Sequence, residues 1–110
     1  MSDTIIFSCS CGSDVGELAD KATRKLAKTG KAKMGALASI GAKIQPVIDK
    51  TKLEKRVIAL DGCPVCCAKK ILENAGIKVE SVNMKDFGFE KGKTVVNEES
   101  VDNVILKLKL

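Results

Sequence analysis

Arg56-Val57-Ile58-Ala59-Leu60-Asp61-Gly62-Cys63-Pro64-Val65-Cys66-Cys67-Ala68-Lys69-Lys70 is the stretch on which the fold turns. Its first half is an apolar run rich in β-branched residues that stops at Asp61-Gly62, which is the signature of a strand buried on both faces. Pro64 then suits the first position of a helix, where its missing N–H costs nothing. Cys67, Ala68, Ile71, Leu72 and Ala75 recur at helical spacing, and Gly76 is the natural stop. The reading is strand, short turn, helix, with cysteines at the junction.

Working outward, the same alternation repeats. Thr4-Ile5-Ile6-Phe7-Ser8 reads as a buried strand running into the small-residue loop Cys9-Ser10-Cys11-Gly12. Ser13 or Asp14 can cap a helix carrying Val15, Leu18, Ala19, Ala22 and Leu26 on one face, ended by Thr29-Gly30. Lys33 to Ile40 is read as a second strand, because its neighbours alternate strand and helix. Pro46 marks an early turn of a short helix over residues 44–52. Lys78 to Asn83 alternates and predicts another strand. Residues 84–96 read as a loop with a short extended piece, in which Phe87 and Phe89 anchor to the core. Val101, Val104, Ile105 and Leu108 form a helical stripe, with Asn97 or Ser100 as caps; the alternating Leu and Lys at the end could make the last turn extended. The pattern predicts an α/β fold: a single Rossmann-like three-layer domain over residues 1–110, with about four mainly parallel strands and helices on both faces. In such sheets ligands collect beyond the carboxyl ends of the strands, where strand order reverses. If the first and third strands are neighbours, Cys9, Cys11 and Cys63 meet at one edge.

Composition narrows the chemistry. The chain has 110 residues, 45% hydrophobic and 30% charged, values of a folded globule. There is no His, which removes imidazole bases, Cys–His pairs and imidazole metal ligands. Three Phe, no Tyr and no Trp leave little for bases to stack on, so nucleic acid is not an expected partner. The net charge of +5 is uneven: residues 1–20 carry −4, residues 21–56 carry +9 and residues 57–110 are neutral. The basic middle third reads as a solvated helical surface rather than a binding run. No segment approaches the roughly 18 apolar residues of a membrane span. The start, Met1-Ser2-Asp3, is unlike a signal peptide. Both point to the cytoplasm, where thiols stay reduced and cysteines imply metal or redox chemistry before disulfides. Phosphate-cradling glycine motifs are absent. No Arg follows Cys9 or Cys11 as in a phosphatase-type cysteine loop.

Chemistry therefore falls to five cysteines. Cys9 and Cys11, two apart in an extended loop, can point the same way. Cys63 pairs with Cys67 on one face of the expected helix, or with Cys66 three residues on. Cys66 and Cys67 lie about 100° apart around a helix axis and would not serve one ion together. A tetrahedral all-sulfur site would use Cys9, Cys11, Cys63 and either Cys66 or Cys67, at a helix start whose free N–H groups favour negative charge. Cysteine as core filler is the plainer alternative. Asp61 is expected to accept backbone N–H bonds and shape the turn, and Gly62 to permit a close approach.

The run Asp61-Gly62-Cys63-Pro64-Val65-Cys66-Cys67-Ala68-Lys69-Lys70 resembles the DGC-domain family, proposed zinc-binding proteins that take their name from the Asp-Gly-Cys motif. The resemblance extends to Cys9-Ser10, Val15-Gly16, Lys33-Met34 and Gly41-Ala42. It implies a small α/β domain with a four-cysteine zinc site, to which Cys9, Cys63 and Cys67 correspond directly. The family pattern often has a further Cys near Ala36; its absence leaves the fourth place to Cys11 or Cys66. The expectation is zinc held by Cys9, Cys11, Cys63 and Cys67, with an iron–sulfur cluster as the alternative cofactor. A closed four-thiolate site would be structural; three ligands would leave room for an exogenous thiol, so the partners expected are a metal ion and a protein or small-molecule thiol. The rival is a thiol redox or sulfur-transfer protein using Cys63-Pro64-Val65-Cys66. Against it stand the lack of a later Pro facing the pair and of a Trp before it.

Overall fold

The computed structural model describes residues 3–110. Four strands, β1 (Thr4–Ser8), β2 (Lys33–Met34), β3 (Arg56–Asp61) and β4 (Glu80–Asn83), form one parallel sheet in the order β2-β1-β3-β4. Five helices accompany it: α1 (Asp14–Lys28), α2 (Leu37–Gly41), α3 (Gln45–Lys52), α4 (Cys67–Asn74) and α5 (Glu98–Leu108). β1 and β3 are central and buried almost end to end, as parallel strands covered on both faces must be. Ile6, Ile58 and Leu60 turn to a core shared with Val15, Leu18, Ala22 and Leu26 of α1 and Val101 and Val104 of α5. Phe7, Val57 and Ala59 turn the other way, toward Ile40, Ile48, Ala68 and Leu72 of α2, α3 and α4. The result is the expected α/β three-layer, Rossmann-like arrangement, with strand order reversing between β1 and β3. For one crossover hand, that reversal puts α1 and α4 on opposite faces.

Local chemistry explains the ends. Ser13 caps α1 by accepting the Gly16 N–H at 3.1 Å, and Gly30 (φ +75°) follows the helix. Asn97 and Ser100 form a reciprocal capping box on α5, which stays helical to Leu108 rather than ending extended.

Three sequence expectations are corrected. Lys33 to Ile40 is not a strand: only Lys33 and Met34 pair, and the chain turns into α2. Gly35 donates the last ladder bond, to Ile6 O at 2.8 Å, and the Phe7 ring then occupies the space a side chain at Gly35 would need. Residues 84–96 hold no extended pairing piece; Met84–Phe87 form a 3-10 turn beneath which Met84 is buried. The third correction moves the site. α4 begins at Cys67, not at Pro64. The Cys66 N–H bonds the Cys63 carbonyl at 3.3 Å, closing a turn with Pro64 and Val65 at its tip, and Cys66 takes φ +57°. A proline's fixed φ serves the second position of a turn as well as a helix start, which is why the sequence alone misplaces the boundary.

Candidate functional site

The cysteines stand where β1 and β3 end. Cys9 continues the β1–β3 ladder by one bond, its N–H reaching Leu60 O at 3.1 Å. Its thiol then accepts the Gly62 N–H at 3.2 Å, from the residue before Cys63. The first and third strands are neighbours over five register pairs, from Thr4 opposite Arg56 to Ser8 opposite Leu60, so both cysteine groups leave the same edge. Two glycines allow the approach. A Cβ on Gly62 would lie 2.6 Å from the Val15 carbonyl carbon, and one on Gly16 would lie 2.4 Å from the Cys11 sulfur. Both are needed because the 62–66 turn and the Cys9–Cys11 loop press on the first turn of α1.

Asp61 holds the far side of the turn. Its buried carboxylate accepts the Ala68 N–H at 2.8 Å and the Lys69 N–H at 3.1 Å. Cys66, in the N-cap position of α4, makes no side-chain cap bond, so the last residue of β3 caps the helix across the turn. The expected role of Asp61 in shaping this turn holds, with a consequence for charge. The free N–H groups at the helix start belong to α4 at Cys67, not to Cys63, and two of them are already taken by Asp61. Asn83, opposite Asp61 in the ladder, donates to the Cys63 carbonyl at 2.8 Å and approaches the Cys66 sulfur at 3.4 Å. Its place depends on the parallel register of β4, which nothing in the local sequence reveals.

The thiols differ in setting. Burial pushes the Cys9 thiol above its ordinary range, and the charges of Cys11 and Asp61 act the same way; the N–H groups of Gly62 and Cys11 offset part of this. Cys11 is exposed and lies below the ordinary thiol range, held there first by the Ser13 hydroxyl, 2.9 Å from its sulfur. The Ser13 N–H, the Cys9 thiol and the charge of Lys91 add to this. Cys63 is buried, Cys66 half-buried and Cys67 exposed; all five are free thiols. The edge thus brings Cys9, Cys11 and the turn carrying Cys63 and Cys66 together, with Cys67 at the mouth of α4. Among the described residues, no three Cys, Asp or Glu side chains converge closely enough to hold one ion. None of the helices is long and apolar enough to cross a membrane, again among the described residues.

The DGC-domain profile matches residues 5–108, and the chain belongs to that family. It is 29% identical over 68 residues to the anaerobic and virulence modulator AnvM of Pseudomonas aeruginosa, covering 62% of this chain and 52% of the relative. The chain therefore spans about half the length of the curated relative it matches. No solved structure matches significantly.

Proposed function

We propose that the chain is a thiolate metal-binding protein that holds zinc through Cys9, Cys11, Cys63 and Cys67. The single observation that carries this reading is the contact between the Cys9 thiol and the Gly62 N–H, which sets the sulfur of one half of the chain against the Asp-Gly-Cys turn of the other. The donor set supports it: five free thiols and no histidine suit a thiophilic cation. The four sulfurs do not converge as they stand, and the expected pairing of Cys63 and Cys67 on one helix face does not hold because α4 begins at Cys67, so the shell would form only on binding. A four-thiolate zinc would leave no open position for water and would brace the edge between β1, β3 and α4. We place the protein in a reducing, cytoplasmic setting, where these thiols persist.

An iron–sulfur cluster uses the same donors. Anaerobic purification with metal analysis and an absorption spectrum separates the two. A colourless protein with one zinc per chain supports this reading. Absorption near roughly 400 nm supports a cluster. Metal-free folded protein with five titratable thiols overturns both. A redox role for Cys63 and Cys66 draws on the Asn83 contact with both residues. It lacks the helix start that would activate Cys63, since α4 begins four residues later.

A further inference from the structure

Beside the cysteine edge lies a cavity of about 580 Å³, within the roughly 300–1,000 Å³ usual for small-molecule sites. Gly62 and Pro64 of the turn form one wall; Lys85, Gly88, Phe89 and Lys91 form the other. It opens at the carboxyl end of β3 and β4, the side of a parallel sheet on which ligands collect.

The charge of this wall is not matched from within. Among the described residues, neither Lys85 nor Lys91 has a carboxylate within ion-pair reach. Glu90, the one acid on the wall, faces Lys93 at 3.8 Å. Two lysines without a carboxylate partner and one acid therefore line the cavity together with Pro64 and Phe89, and the Lys107 ammonium lies 5.9 Å from the centre of the Phe89 ring. The walls are also fixed. The Asp14 carboxylate accepts the Gly92 N–H at 2.9 Å and the Thr94 N–H at 3.0 Å, tying the segment to α1. The Phe89 N–H bonds Met84 O at 3.1 Å, and Lys107 donates to Phe87 O at 2.8 Å. A preformed, positively charged cavity with Pro64 and Phe89 in its lining selects for negative charge on a short carbon skeleton.

We propose that this cavity binds a small organic dicarboxylate, with Lys85 and Lys91 as its counter-charges and Pro64 and Phe89 packing its carbon body. Its counter-charges are not sulfur, but the Lys91 charge also acts on Cys11 and the Gly62 N–H meets the Cys9 thiol, so the titration is run on metal-free and on zinc-loaded protein.

The test is a titration of the isotope-labelled full chain, followed by amide chemical shifts, with two probes: glutarate and phthalate. Sodium chloride at matched ionic strength and the neutral diamides serve as controls. The expected result is a saturable shift at Gly62, Gly88, Phe89 and Lys91 with at least one dicarboxylate and with neither control. The double variant Lys85→Gln and Lys91→Gln should weaken it roughly tenfold. Both side chains are unpaired, so the variant should keep the wild-type melting curve. A single Phe89→Leu variant, which keeps the charges, should weaken phthalate more than glutarate. Absence of a saturable shift with both probes, an equal shift with sodium chloride, or unchanged affinity in the folded lysine double variant overturns the proposal.

Discussion

The thiol of Cys9 accepts the backbone N–H of Gly62 at 3.2 Å, across 53 positions of sequence. This contact exists because β1 and β3 are adjacent and in register, and because Gly62 has no side chain to meet Val15. A Gly62→Ala substitution should therefore both destabilise the fold and part the two cysteine groups. Overpacking against backbone costs about 1–3 kcal/mol. Urea unfolding measures the first effect and zinc affinity the second. An alanine variant with wild-type stability and affinity would contradict the close approach.

Asp61 acts as a cap placed outside its own helix. Removing both acceptors with Asp61→Ala should cost at least about 1.5–3 kcal/mol, the range for a single hydrogen bond to a charged group. Asp61→Asn keeps one acceptor and should cost less. Denaturant unfolding of the two variants gives the order; equal, near-zero effects would mean that the α4 start is held by something else.

The Asp14 carboxyl lies below the usual carboxylate range, because the Gly92 and Thr94 N–H groups stabilise its charged form. A lowered folded value means that its contribution is complete above the ordinary carboxylate range and is lost as pH falls through the lowered value. Protection of the Gly92 and Thr94 amides, taken relative to intrinsic exchange at each pH, should fall as pH drops through the lowered value. In Asp14→Asn that protection should already be reduced at neutral pH. Protection unchanged in the variant would sever the tie between this residue and the cavity wall.

Cys11 is exposed and its thiolate is favoured, whereas the Cys9 thiolate is disfavoured by burial. In chelator-treated protein at neutral pH, iodoacetamide should modify Cys11 well before Cys9. The gap should narrow as pH rises through the thiol range. Mass spectrometry of timed samples reads the order, and modification of Cys9 first would reverse the assignment of the two environments.

The sheet was legible because its two central strands announce themselves: Thr4–Ser8 and Arg56–Leu60 are apolar runs with turn residues after them, and they are the buried strands. The caps were legible to within a pair of residues, Ser13 or Asp14 and Asn97 or Ser100, of which the structure uses Ser13 and Asn97. What could not be read locally depends on partners far away. The Phe7 ring leaves no room for a side chain at Gly35, where β2 ends, and Asp61 caps a helix that starts after the turn holding Pro64. Asn83 and Lys91 reach the site through the placement of β4 and of the 88–94 segment. Neither carries a motif, so neither stood out beside five cysteines.

The most direct measurement is zinc content, by elemental analysis, of the full chain and of five single Cys→Ser variants purified in parallel under reducing, anaerobic conditions. The account predicts one zinc per chain in the parent and in Cys66→Ser, and loss of tight binding in the Cys9, Cys11, Cys63 and Cys67 variants. A parent that folds without metal, or a Cys9→Ser variant that keeps its zinc, would contradict it.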